Sequence, residues 1–112
     1  MVKTYRDLMA WQKAMDFAVE VYRVTREELY GLTAQLRKAA VSVPSNIAEG
    51  QGRGVGKEFA HHLRISQGSL QEAETQILIA ERLEMADIPQ LEQLLVMADE
   101  VSRLNRGLCR SL

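Results

Sequence analysis

Two adjacent histidines, His61 and His62, are the strongest neutral bases in the chain and its only histidines. On a helix, adjacent side chains diverge by about 100°, so the pair cannot chelate one metal ion. Glu58 and His62, one turn apart, would supply two ligands without a third, and a solvated helix face is the better reading. The single Cys109 has no partner for an internal disulfide and no Cys/His cluster around it, so a buried, inert thiol is expected. Asn46 and Glu49 flank Ile47 and Ala48, yet no Ser/His/Asp or Cys/His arrangement accompanies them. Beside Pro44 their simpler role is to satisfy backbone groups at a bend, or to bond across to a neighbouring helix. The segment Gly50-Gln51-Gly52-Arg53-Gly54-Val55-Gly56 follows a helical pattern rather than a strand and lacks the G-K-[ST] ending of a phosphate-binding loop. A flexible connector is expected there, and the chain should be no enzyme, with no cofactor, metal or small-molecule substrate.

Charge supplies the other candidate chemistry. The formal net charge is −1, but it is unevenly spread along the sequence. Residues 31–70 carry Arg37, Lys38, Arg53, Lys57 and Arg64 against Glu49 and Glu58, whereas residues 71–112 carry four arginines against eight carboxylates. The five cations of the middle third are the candidate nucleic-acid-binding residues. The competing reading is that they are solvated or paired with acids nearby.

These side chains need elements to hold them, and the apolar spacing is helical throughout. Leu8, Trp11, Met15, Ala18 and Tyr22 recur every three or four residues, and Ala10, Ala14, Phe17, Val21 and Val24 form a second row beside them. Together they make a stripe wider than one partner helix covers, and the excess is expected to bury against another subunit. A second helix carries Leu32, Leu36, Ala39, Ala40, Val43 and Ile47 up to Gly50, with Pro44 inside it predicting a kink. A third and longest helix carries Phe59, Leu63, Ser66, Leu70, Ala73, Ile77 and Ala80 on one seam. Asp87 and Gln90 read as an N-terminal capping box, with Pro89 in the first turn of a fourth helix that buries Leu91, Leu94 or Leu95, Ala98, Val101, Leu104 and Leu108. No stretch alternates with a period of two over the length of a strand. With 112 residues, 46% of them apolar, the expectation is one all-α domain over residues 1–112. Four helices joined by short loops pack most simply as an up-down-up-down four-helix bundle. No apolar run reaches the length of a membrane span and the N-terminal segment lacks a signal-peptide core, so a cytoplasmic protein is expected.

The order Leu8-x-x-Trp11, Tyr30-Gly31-Leu32-Thr33, Gln35-Leu36-Arg37 and Ala39-Ala40-Val41-Ser42 leads into Pro44-Ser45-Asn46-Ile47-Ala48-Glu49-Gly50. Gly52-Arg53, Lys57-Glu58-Phe59, Gly68-Ser69 and Glu72-x-x-Thr75-Gln76 follow. In these motifs the chain resembles the 23S rRNA-intervening sequence proteins. The resemblance implies a four-helix bundle that assembles with copies of itself into a pentameric ring. A similar branch, the accessory variability proteins of diversity-generating retroelements, presents basic surface to RNA and binds a reverse transcriptase. The resemblance therefore implies partners of that kind, RNA or a nucleic-acid-handling protein, besides the chain itself. Family members usually carry Ser or basic residues where this chain has Gly54, Val55 and Gly56.

Overall fold

The computed structural model describes residues 2–25, 31–54 and 56–112. Tyr30, which opens one of the motifs above, and Val55 of the glycine segment lie outside them. A short 3-10 turn, Tyr5–Asp7, leads into four helices: α1 (Met9–Val24), α2 (Leu32–Gly52), α3 (Lys57–Arg82) and α4 (Ile88–Arg110). There is no strand among the described residues. Among the described residues each helix packs on its neighbours in sequence and α4 closes against α1. The result is an elongated body of 41 × 22 × 19 Å.

Local chemistry explains the element boundaries. Thr4 and Asp7 cap the 3-10 turn: Thr4 Oγ1 accepts from the Arg6 amide at 3.1 Å, and Asp7 Oδ2 accepts from the Lys3 and Thr4 amides at 2.8 and 3.1 Å. Those two bonds to the ionised form hold the Asp7 carboxyl below its usual range. Gly31 and Gly56 precede α2 and α3 with φ of 68° and 78°, a left-handed entry that disfavours side chains. α3 ends on a Schellman motif, in which the Glu84 amide bonds Glu81 O at 3.1 Å and the Met85 amide bonds Ala80 O at 3.0 Å. That motif needs a left-handed residue, and Glu84 occupies it with φ 53°.

The seam of α3 is as its spacing predicts. Phe59, Leu63, Ser66, Leu70, Ala73, Ile77 and Ala80 are all buried. On α1 the row from Ala10 through Ala14, Phe17 and Val21 is buried, but in the row beside it Met15 and Tyr22 are exposed. On α4, Leu94 rather than Leu95 is the core residue, and Leu104 and Leu108 are only half-buried. The helix instead turns Ser102 and Asn105 inward. Ser66 Oγ donates to Val43 O at 2.9 Å and accepts from Asn105 Nδ2 at 3.1 Å, a polar tie joining α2, α3 and α4 inside the core.

Three expectations need correction. Helix α2 does not stop at Gly50 but continues through Gly52, so two of the four glycines are helical, and of the described residues only Arg53, Gly54 and Gly56 lie between α2 and α3. At Gly50, contact with His62 and Phe59 of α3 outweighs the low helix propensity of glycine. Asp87 stands at the start of α4 with Pro89 in its first turn, but its side chain makes no capping bond. Cys109 is half-buried rather than enclosed.

Two stability predictions follow from these geometries. Glu84→Gly should stabilise the fold by roughly 1 kcal/mol, because glycine takes the left-handed position without steric cost; urea denaturation measures it. Half-buried Glu74 has its carboxyl raised from its ordinary 4.5, first by desolvation and then by Asp99, with Arg106 opposing. The folded state therefore holds a proton that the unfolded chain releases. The contribution is present below the unfolded value and lost as pH rises through the folded one. Glu74→Gln should raise the denaturation midpoint at pH 7 and flatten the decline in stability above pH 4.5.

Candidate interaction surfaces

The Pro44–Gly50 segment lies in the C-terminal half of α2, and its side chains divide by helical phase between two neighbours. Toward α3, Asn46 is a hub. Its Nδ2 donates to Ser42 O and Ser42 Oγ, both at 2.9 Å. Its Oδ1 is thereby left to accept from His62 Nδ1 at 3.2 Å, which places the ring proton on that nitrogen. Ser42 Oγ and Ser69 Oγ share a further bond of 2.8 Å. Asn46 thus reaches a neighbouring helix, and the carbonyl it binds one turn back is that of Ser42 rather than of Ala40, which Pro44 deprives of a donor.

Gly50 fixes how closely the two helices approach. A Cβ built there would lie 2.6 Å from His62 Cβ and 3.1 Å from Phe59 Cδ1. Ile47 is fully buried in the core, and Glu49 at the surface pairs with Arg53 at 2.9 Å. The contact pairs Gly50 with His62, Val43 with Ser66 and Ser42 with Ser69 show α2 and α3 running antiparallel.

Toward α1, Pro44, Ser45 and Ala48 form one wall of a cleft of 630 Å³. Tyr5, Trp11, Met15, Val19 and Tyr22 form the facing wall, with Val41 along the α2 side. Tyr5 and Trp11 meet edge to face at 5.2 Å, which holds the 3-10 turn at one end of the cleft. Four large apolar side chains in it stay open to solvent: Met15 at 37% exposure, Val19 at 43%, Tyr22 at 44% and Val41 at 42%.

The five candidate cations do not form one patch. Arg37 is engaged internally: Nε donates to Thr25 Oγ1 at 2.9 Å, Nη2 donates to Thr25 O, and the guanidinium lies 4.6 Å over the Tyr22 ring. It ties the C-terminal end of α1 to α2, where a positive charge also complements the helix dipole. Lys38 is exposed on the same half of α2, lining a groove with Gln35, Ser42, Ser69 and Glu72. Arg53, Lys57 and Arg64 lie at the other end of the bundle, where Arg53 is shared with Glu49 and Arg64 stands beside Arg106 of α4. The spacing along α2 from Lys38 to Arg53 is about 22 Å.

The histidines diverge as their adjacency predicts. His61 is exposed and His62 half-buried, with ring centroids 5.5 Å apart. No group of three or more potential metal ligands occurs among the described residues. No helix among them is long and apolar enough to cross a membrane.

A family model described as 23S rRNA-intervening sequence protein matches residues 6–107 of the chain. A crystal structure of a protein of unknown function from the S23 ribosomal protein family of Bacteroides thetaiotaomicron superposes with a TM-score of 0.82. It is 20% identical, and the match covers 90% of this chain and 98% of that one. At that identity the likeness shows the fold alone. No curated protein sequence matches the chain.

Close approach at Gly50 gives a direct test. Gly50→Ala should destabilise the fold by about 1–3 kcal/mol, because the neighbouring Cβ of His62 is too near its own backbone to swing aside. Gly68→Ala, at a helical position with nothing within 4 Å, should be neutral or stabilising by up to about 1 kcal/mol. Equal effects at the two sites in chemical denaturation would remove the assignment of Gly50 as the spacing residue.

Proposed function

The chain belongs to the 23S rRNA-intervening sequence protein family, and from that premise we propose a non-enzymatic, cytoplasmic scaffold that joins copies of itself into a ring and offers cations to RNA. The bundle takes the up-down-up-down course, and the ring is a pentamer, as the resemblance implies.

One observation carries the assembly: the apolar cleft between α1 and α2. Contiguous apolar surface of this kind, rimmed by polar residues, is what protein interfaces cover. Trp11 and Tyr22 are suited to such a surface, combining large apolar area with a polar edge. Closing a ring requires a heterologous contact, in which one face meets a different face of the next copy. Leu78 and Ile79, exposed at 47% and 42% on α3, supply an opposing apolar surface away from the cleft.

The RNA reading rests on repetition. A single chain presents few free cations, whereas a ring multiplies them, and affinity grows with the number of counterions released from phosphates. The partner in this reading is RNA, or a nucleic-acid-handling protein such as a reverse transcriptase that brings RNA with it. Arg53, Lys57 and Arg64 serve it more directly than Arg37, whose guanidinium is spent on Thr25 and Tyr22.

Sedimentation equilibrium at micromolar concentration should give a multiple of the 12.6 kDa chain mass. Paired Val19→Glu and Val41→Glu substitutions should reduce it to a single chain while circular dichroism keeps its helical signal. A wild-type protein that sediments as one chain would end the ring proposal.

A further inference from the structure

Folding redistributes the charge that the linear sequence assigns to a basic middle and an acidic last third. The salt bridge from Lys13 to Glu100 at 3.9 Å, and the bonds from Ser66 to Asn105 and Gln67 to Ser102, set which segments lie at the same level of the bundle. Residues 2–10, 45–67 and 102–112 share one end. That end carries eight Lys and Arg against three carboxylates, Asp7, Glu49 and Glu58. The rest of the described chain carries five cations against ten carboxylates. A molecule close to neutral overall is thus strongly polarised along its length.

Within the basic end, Arg64 and Arg106 flank the seam between α3 and α4, and Lys57 and Arg110 stand further along the same two helices. Lys57 and Arg64 are seven residues apart, hence on one face of α3 and about 10 Å apart along it. Arg106 and Arg110 are four apart on one face of α4. Arg64 and Arg106 flank the same small cleft across the seam. All four are exposed, and among the described residues none has a carboxylate within 4.0 Å. Arg103, next along the α4 row, is held by Asp99 at 3.2 Å, and Arg53 by Glu49. Glu74, whose carboxyl Arg106 favours from across the seam, lies further toward the acidic end.

We infer that this α3/α4 seam, with Lys57, Arg64, Arg106 and Arg110, is the surface that receives the phosphate backbone of RNA. The inference rests on the RNA reading above and assigns it to a different set of side chains, two of them from α4. Unpaired guanidiniums suit phosphate oxygens, which they bind in bidentate geometry. Two rows of cations separated by a shallow seam follow a strand of charges rather than one compact anion. Lys38, among the acids of the other end, takes no part.

Fluorescence anisotropy of a labelled RNA hairpin against the full-length protein, at graded salt, tests this. Log affinity should fall linearly with log salt, and Arg64→Ala and Arg106→Ala should each lower the slope by about one. Arg106→Glu combined with Arg110→Glu should abolish binding with the sedimentation mass unchanged, while Lys38→Glu leaves it intact. A DNA hairpin of the same sequence should bind within a few-fold of the RNA, since the contacts go to phosphates. A strict demand for RNA would overturn a backbone site. Wild-type binding whose slope is untouched by Arg64→Ala and Arg106→Ala sinks the seam and leaves the RNA reading standing. Absence of salt-sensitive binding even at low ionic strength sinks both.

Discussion

The closeness of α2 to α3 at Gly50 is the constraint on which most of the molecule depends. With no side chain at Gly50, the backbone of α2 approaches within contact distance of His62 Cβ. Only at that separation can Asn46 reach His62, Ser42 reach Ser69 and Ser66 reach Val43 O. The three contacts fix the helices in register as well as in distance, because each joins a short polar side chain that cannot span a wider gap. A sliding motion of one helix along the other would break all of them together and leave buried polar atoms unmatched. Ser66 extends the tie to Asn105, so the register of α4 is set through the same point. Not every buried polar atom is matched among the described residues: the side-chain amide oxygens of Gln67 and Asn105 beside this tie, and of Gln76 about 15 Å further along α3, have no partner.

The same segment explains why the Pro44–Gly50 run can be both structural and outward-looking. Helical phase sends Asn46 and Gly50 toward α3, Ile47 into the core, and Pro44, Ser45 and Ala48 toward the cleft. Fixing the α3 side therefore also fixes one wall of the α1/α2 cleft. Nothing in this division calls for catalysis. The polar atoms of Asn46 are consumed by partners, and Glu49 is a surface carboxylate spent on Arg53.

Much of the fold is legible in the sequence because apolar spacing is a local property. The α3 seam and the α1 core row follow from it, and Pro89 marks the first turn of α4. What failed were features that depend on the partner helix. Gly50 and Gly52 read as breakers, yet both are helical, and at Gly50 the α3 side of α2 demands a residue without a side chain. Ser102 and Asn105 fall between apolar rows and look like surface residues, yet the phase of α4 buries them against Ser66. Arg37 looks like a free cation, and only the meeting of α1 and α2 shows it bound to Thr25. Counting charge along the chain put Arg106 and Arg110 in an acidic third, because antiparallel folding, which returns the end of α4 to the start of α3, is invisible to a linear count. The residues Lys57 and Arg64 were legible as candidates; their company was not.

Placement of the two surfaces bears on whether one molecule can use both. The helices form a closed square in which α1 and α2 share one edge and α3 and α4 the opposite one. The apolar cleft lies on the first edge and the cationic seam on the second. A copy that seats its own Leu78 and Ile79 in the cleft would cover α3 about 21 Å along from Arg64, so assembly would not bury the guanidiniums at a desolvation cost. The reverse arrangement, with cations rimming the apolar cleft, would force each contact between copies to pair or repel them. Among the described residues Arg23 is the cation that lines the cleft, held by Glu20 at 3.2 Å on its own helix, while Arg6 and Arg37 are engaged over the Tyr5 and Tyr22 rings at its margin. Separation of apolar and cationic surface to opposite edges of the bundle is the arrangement that permits self-association and polyanion binding at the same time.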